Sequence, residues 1–335
     1  RHSTVRLILA LAAQYNWNLR QLDVKNAFLH GELEEEVFMK QPQGFVDQQY
    51  PNHVCKLVKS LYGLKQAPRA WNSKFTSFLP ALGFQTSMSD TSLFVKVDDS
   101  DVILLLLYVD DIILTGSNSE KIQTVIDDLA AVFELKDMGK LTDFLGLQIH
   151  YQADGSLFVN QSTYTKELLK KAGMEHCKST STPSKPHSQL LTTEGTPLSD
   201  PTHYRSLVGA LQYLTFTRPD IAHAVNVVCQ YMTHPSDSHM HLVKRIMRYL
   251  QGTSDCRLTY TQSSDFQITA YSDSDWAADI NTRRSITGYV VYLGSNPISW
   301  QSKKQATVSR SSTEAEYKAL AHCAANVFWI RSLLK

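Results

Sequence analysis

The 335-residue chain is short of several features that would narrow its class at once. Its five cysteines, Cys55, Cys177, Cys229, Cys256 and Cys323, never fall within four residues of one another. That spacing excludes a zinc knuckle and a Cys-x-x-Cys redox pair. An odd, scattered set fits a reducing compartment, with the thiols serving as small buried residues. The longest apolar run, Val102 to Val109, falls far below the ~18 residues of a membrane helix, so no membrane partner is expected. The opening RHSTVRLILA carries no signal-peptide pattern and no initiator Met, and a segment upstream is expected. There is no large charge of one sign: 33 basic and 32 acidic side chains leave a net +1. Nucleic-acid binding survives this, because it depends on where the charge sits. No internal repeat is visible. What is present is an ordinary hydrophobic share of 43%, enough for real cores, which excludes disorder of the whole chain. At ~150 residues per domain the length suggests two or three domains.

Patterning divides the chain. Residues 4–16 read as a helix and residues 19–24 as a short strand. Residues 69–82 make an amphipathic helix, with Trp71, Phe75, Phe78 and Leu82 on one stripe, Pro68 at its start and Gly83 at its end. Residues 93–97, 102–109 and 112–115 read as strands, and Ser119 is placed to cap a helix carrying Ile122, Val125, Ile126 and Leu129. Residues 178–201, rich in Ser, Thr and Pro, read as a linker or a long ordered loop. Three helices are predicted over 203–216, 219–233 and 237–251, the last ending at Gly252. Strands over 266–271, 288–293 and 298–301 precede a final helix from Ser311. His234, His239 and His241 cluster, but no carboxylate or Cys stands at ligand spacing, and a polar helix start explains them better than a metal.

The sharpest local signal is YVDD, residues 108–111, where two aspartates interrupt an otherwise apolar stretch. An ordinary turn would explain them. Asp-Asp without Gly is poor chemistry for a tight hairpin, however, and two like charges side by side are unfavourable without a cation. A magnesium site uses few carboxylates together with substrate phosphates, and Asp110 and Asp111 suit one. Two-metal phosphoryl transfer needs a further carboxylate. Asp23, at the end of the strand in QLDVKNAFLHG, is the candidate; an N-cap for the following segment is the competing reading.

The segments QLDVKNAFLHGELEEEVFMKQPQGF, LYGLKQAPRAWN and LLYVDDIILTG, in this order, resemble the Pol reverse transcriptase of copia-type LTR retrotransposons. DFLGLQI, YRSLVGALQYLTFTRPDIAHAV, YSDSDW and SSTEAEYKAL extend the resemblance over essentially the whole chain. It implies an α+β fold: a right-hand polymerase palm with an antiparallel sheet, a helical thumb or connection, and a truncated ribonuclease H-like mixed α/β domain. The implied division is 1–177 for the palm with incomplete fingers, 178–201 for a linker, 202–262 for the thumb or connection and 263–335 for the partial nuclease. The implied activity is RNA-directed DNA polymerisation, with Asp23, Asp110 and Asp111 around two Mg2+ ions. The partners are a primed RNA or DNA template and deoxynucleoside triphosphates. Phe28 matches the family's sugar gate, with a plain core phenylalanine as the alternative. Gln66 is placed beside the incoming nucleotide, and Lys65 and Arg69 within reach of phosphates, against the plainer reading of a solvated helix start. The family's setting is a cytoplasmic virus-like particle with a nuclear phase for its product. A catalytically inactive nucleic-acid-binding remnant is the other reading.

A second acidic group closes the chain. Asp273 and Asp275 end a strand in AYSDSDW, and Ser311 with Glu314 spells a capping box. Glu316 is followed by Leu320, Cys323, Val327, Ile330 and Leu334 at helical steps, so it is expected to head the apolar stripe and face the sheet. An acid so placed needs a partner or a metal. The resemblance makes Asp273 and Glu316 the first two metal ligands of a ribonuclease H site, and Asp275 a surface neighbour. The family's next acidic ligand lies beyond Lys335, so that site is expected to be incomplete here.

Overall fold

The computed structural model describes residues 1–185 and 190–335. Part of the expected linker, 186–189, lies outside the described residues. The chain forms two compact units, Trp17–Leu141 and Arg1–Asn16 with Thr142–Lys335. It opens with helix α1 (His2–Tyr15), which belongs to the second of these.

The unit Trp17–Leu141 contains β1 (Arg20–Val24), α2 (Ala27–His30), the hairpin β2 (Glu32–Lys40) and β3 (Val54–Lys59), and α3 (Ala67–Phe78). After α3 come β4 (Gln85–Thr86), β5 (Leu93–Asp98), β6 (Asp101–Tyr108), β7 (Asp111–Gly116), α4 (Ser119–Val132) and β8 (Leu135–Lys140). Six strands form an antiparallel sheet in the order β4-β5-β6-β7-β1-β8. Alternation along the strands sends Leu22 and Val24, Ile103, Leu105 and Leu107, and Ile112 and Leu114 to one face. There they meet Trp71, Phe75 and Leu79 from α3 and its 3-10 extension, and Ile122, Val125, Ile126 and Leu129 from α4. Each of these large side chains contributes roughly 1.5–3 kcal/mol on burial. The α4 cap differs from expectation. Asn118, one residue earlier than Ser119, accepts hydrogen bonds from Glu120 N and Lys121 N at 3.0 and 3.2 Å. The amide oxygen reaches both orphan donors of the first turn, and Ser119 becomes the first helical residue.

The unit Arg1–Asn16 with Thr142–Lys335 contains, besides α1, β9 (Asp143–Phe144), β10 (Leu147–Tyr151), β11 (Leu157–Asn160) and α5 (Ser162–Lys171). Then follow α6 (Pro201–Leu214), α7 (Ala222–Cys229), α8 (Asp237–Gly252), β12 (Leu258–Tyr260), β13 (Ile268–Asp275), β14 (Ile286–Leu293), β15 (Asn296–Lys304) and α9 (Ser312–Leu333). Helices α5 to α8 share one apolar cluster, with Tyr204, Leu211, Val228, Val243 and Leu250 at its centre. Strand β11 takes β12 as a neighbour, Leu157 opposite Tyr260, which ties residues 142–160 to the chain beyond α8. The described parts of 178–201 run along the helices: Leu198 N donates to Pro235 O, Thr196 N to Asp237, and Tyr231 Oη to Leu190 O. Gly252 is the last residue of α8 rather than a left-handed cap, and its φ is not positive. Arg218 makes such a cap unnecessary, since its guanidinium donates to Thr253 O and Oγ1 at 2.9 and 2.7 Å while pairing with Asp220. His239 is buried as the N3 partner of Ser236 in a capping box, consistent with the helix-start reading. Strands β13, β14 and β15 form an antiparallel meander with α9 against β13 and β14. Of the five free thiols only Cys323 is buried; Cys256 is exposed and the other three are half-buried.

Candidate active site

In β1, Leu22 and Val24 are committed to the core, so Asp23 between them must project from the opposite face. The same alternation in β7 buries Ile112 and leaves Asp111 on that opposite face. The register of the β1–β7 ladder sets Asp23 directly across from Asp111. Cross-strand partners of this kind have Cβ atoms ~4.5–5.5 Å apart, and like charges there oppose each other. Asp110 precedes Asp111 in the turn, and its carbonyl accepts from Val24 N at 3.0 Å. Three half-buried carboxylates therefore gather at one end of two central strands.

Their electrostatics reflect this. The Asp111 carboxyl is pushed above the ordinary carboxylate range, first by burial and then by the neighbouring charges of Asp110 and Asp23. The amide of Gln21, 3.5 Å away on the same face, opposes the shift. The chemistry of the three side chains fits a hard divalent cation, since each offers carboxylate oxygens. Among the described residues no three His, Cys, Asp or Glu side chains stand in a ready-made ligand shell.

The turn is itself unusual. Tyr108 and Asp111 pair across a two-residue loop, and Val109 within it has φ 57°. Positive φ is a genuine outlier for a β-branched residue. The Val109 carbonyl accepts a hydrogen bond from Trp71 Nε1 on α3 at 2.6 Å. Gly31, just after α2, lets α3 approach closely: a Cβ there would stand 2.7 Å from Trp71 N and 2.9 Å from Ala70 C. In the sequence Trp71 reads only as one member of an apolar stripe; its link to the aspartate turn has no local signal.

The competing reading of Asp23 as an N-cap does not hold, because Asn26 occupies that position before α2. Phe28 on α2 is half-buried, packs against the core below the sheet and meets the Tyr62 ring at 4.7 Å. Gln66 is the residue before α3 and makes no side-chain cap bond. Together with Arg69, Glu32 and Lys74 it lines a cavity of about 350 Å³, in which Lys74 Nζ pairs with Glu32 at 2.6 Å. Arg69 and Lys65 are exposed.

The second acidic group is arranged differently from expectation. Glu316 is exposed, as are Tyr317 and Leu320, while Ala315, Ala319, Cys323 and Ile330 form the buried stripe. The stripe begins one residue earlier than hydrophobicity suggests, because two alanines four apart let the helix lie close on the sheet, and larger side chains are turned to its flanks. Asp273 and Asp275 are exposed on β13. Ser311 caps α9 through Glu314 N at 3.1 Å, and the Glu314 carboxylate returns to Arg310 N at 2.7 Å, one residue short of the box partner.

The profile of the family described as "Reverse transcriptase (RNA-dependent DNA polymerase)" matches residues 1–186. The chain is 46% identical over 334 residues to the "Retrovirus-related Pol polyprotein from transposon RE1" of Arabidopsis thaliana, covering 100% of this chain and 23% of that protein. It is 40% identical over 342 residues to the corresponding polyprotein from transposon TNT 1-94 of Nicotiana tabacum, covering 99% and 26%. It is 33% identical over 298 residues to a putative transposon Ty5-1 protein of Saccharomyces cerevisiae, covering 88% and 97%. The chain thus spans about a quarter of the length of the plant polyproteins it matches.

Proposed function

The chain belongs to the reverse transcriptase (RNA-dependent DNA polymerase) family, and from that membership we propose that it extends a primer 3′-hydroxyl with deoxynucleotides on an RNA or DNA template. The observation that carries the reading is the pairing of Asp23 with Asp111 across β1–β7, with Asp110 beside them. Three acids brought together at a strand end, with Asp111 bonded by the neutral Gln21 amide, form a donor set suited to Mg2+. Asp23, Asp110 and Asp111 would hold it. Bound there, two such ions would activate the primer hydroxyl and stabilise the charge of the triphosphate and leaving pyrophosphate.

The remaining work is positioning, which in phosphoryl transfer supplies much of the catalysis. The rigid β-ladder holds Asp23 and Asp111 in register. Phe28, which packs beside the core and against Tyr62, would serve as the sugar gate, its ring excluding a ribose 2′-hydroxyl. Gln66 stands at the start of α3 to meet the nucleotide, and Arg69 and Lys65 offer a fork and a point charge to phosphates. Contacts to the nucleic-acid backbone dominate affinity, which then falls with salt. In this reading the chain also carries the polymerase palm and connection of the wider α+β plan, and Asp273 on β13 and Glu316 on α9 are only part of a ribonuclease H ligand set, so no hydrolysis of the RNA strand is proposed for them.

Primer extension on a homopolymer RNA template with Mg2+ tests the proposal. Incorporation by the native chain, abolished in Asp110→Asn, is the expected result. A folded native chain that binds primer–template but incorporates nothing would leave the nucleic-acid-binding remnant as the better description.

A further inference from the structure

The turn that carries Asp110 and Asp111 is held in a conformation its own sequence disfavours. Of its two central residues only Val109 has positive φ, the pattern of a type II′ hairpin turn, which calls for Gly at that place. A valine there is strained, and such strain persists only where surrounding structure over-determines it. Two bonds do so. Val24 N on β1 donates to Asp110 O at 3.0 Å, and Trp71 Nε1 on α3 donates to Val109 O at 2.6 Å. The first continues the β1–β7 ladder at its end. The second comes from a buried side chain 38 residues away, fixed on all sides by Phe75, Phe133 and His30. An indole N–H has one donor and, when buried, must find a partner. Here the partner is the peptide unit whose orientation decides where the next residue, Asp110, begins.

We propose that Trp71 is a positioning residue for the aspartate turn: its indole N–H holds the Val109 carbonyl, keeps residue 109 left-handed and so sets the Asp110 and Asp111 carboxylates opposite Asp23. The functional half of this statement rests on the polymerase reading. Without the bond, Val109 relaxes toward negative φ, the 109–110 peptide rotates, and the carboxylates leave their register. With glycine at 109 the type II′ turn is intrinsically favoured and the bond is no longer needed.

The test is a cycle of Trp71→Phe, Val109→Gly and the double variant in the full chain. Phenylalanine keeps an aromatic ring in the core and removes only the donor and the second ring. On primer–template, Trp71→Phe is expected to lower kcat roughly 10–100-fold, the scale of a small misplacement of reacting groups, with KM for the nucleotide nearly unchanged. The Mg2+ concentration for half-maximal rate rises. Adding Val109→Gly restores kcat, a rescue that a mere packing role would not produce. Native kcat in Trp71→Phe, or a folded double variant no better than Trp71→Phe, overturns the proposal. Should the native chain incorporate nothing, the polymerase reading falls, and melting midpoints decide the turn on their own. Val109→Gly must then shift the midpoint in the native background by roughly 2–4 °C more than in the Trp71→Phe background, because only the former stores the strain. Equal shifts overturn the tie.

Discussion

Asp23 faces Asp111 across the β1–β7 ladder, on the sheet face opposite the one that their neighbours Leu22 and Ile112 bury. The acids cannot turn away without carrying a core residue out with them. The hydrophobic effect thus holds in place a charge pair that electrostatics alone would separate, and the ladder transmits core stability to the site.

One consequence is a pH-dependent stability difference. Asp111 titrates above the usual carboxylate range in the folded chain because of burial, with Asp110 and Asp23 adding to it. The folded state therefore takes up this proton more readily than the unfolded one. The ionised group weakens the metal-free fold fully above its folded pKa, and the penalty fades as pH falls through that value toward the unfolded one. Asp111→Asn should be more stable than the native chain near neutral pH, by roughly 0.2–1 kcal/mol. The gap should close below about pH 4, where an ordinary Asp also protonates. Paired urea melts across pH 3.5–7.5 measure it. A gap that widens on acidification contradicts the assignment.

Cation linkage gives a second outcome. A site that binds Mg2+ only when folded gains about 2.7 kcal/mol at a hundred times Kd. Scanning calorimetry of the native chain with Mg2+ or Mn2+ should show a rise in melting midpoint. The rise should vanish in a chain carrying Asp23→Asn and Asp111→Asn together. An undiminished rise there would place the cation elsewhere.

Gly31 permits the approach that brings Trp71 to the turn. A methyl at 31 meets backbone atoms at 2.7 and 2.9 Å, which are not the ends of flexible side chains and cannot simply swing aside. Gly31→Ala should cost ~1–3 kcal/mol, the usual range for overpacking, read as a lowered denaturation midpoint. Neutral behaviour would show that α3 shifts freely.

The α4 cap separates two adjacent residues. Asn118→Ala removes the acceptor for two backbone donors and should cost ~1 kcal/mol, whereas Ser119→Ala should change stability by no more than a few tenths. Chemical denaturation of both variants decides it, and a larger loss at Ser119 would reverse the assignment.

The clearest elements in the sequence are those governed by one period. The apolar runs that became β6 and β7 lie within a residue of their expected spans, because burial of a repeating face is written locally. For the same reason the Trp71, Phe75 stripe falls on α3, which starts two residues early and gives way to a 3-10 turn over Leu79–Leu82 inside the expected helix. Errors cluster where two neighbours compete for one role. Asn118 and Ser119 are both good caps, and it is Asn118, in an extended conformation, whose side chain takes the first-turn donors. On α9, hydrophobicity pointed to Glu316 and Leu320, yet the close approach of helix to sheet selected Ala315 and Ala319. Side-chain volume at a contact depends on what lies across it, which the sequence of the helix does not contain.

The sequence by itself determined that a turn with adjacent aspartates joins two buried strands and that Asp23 lies at a strand end with apolar neighbours, although the two-residue loop is Val109–Asp110, one residue earlier than expected, and Asp111 already opens β7. Alternation and burial suffice for that, since both act over a few residues. Only the tertiary structure decided that β1 pairs with β7 in the register that sets Asp23 against Asp111, and that Trp71 reaches the carbonyl of a left-handed Val109. Register and long-range hydrogen bonds are settled by the packing of α3, α4 and the sheet around one core, where many weak local preferences are resolved together.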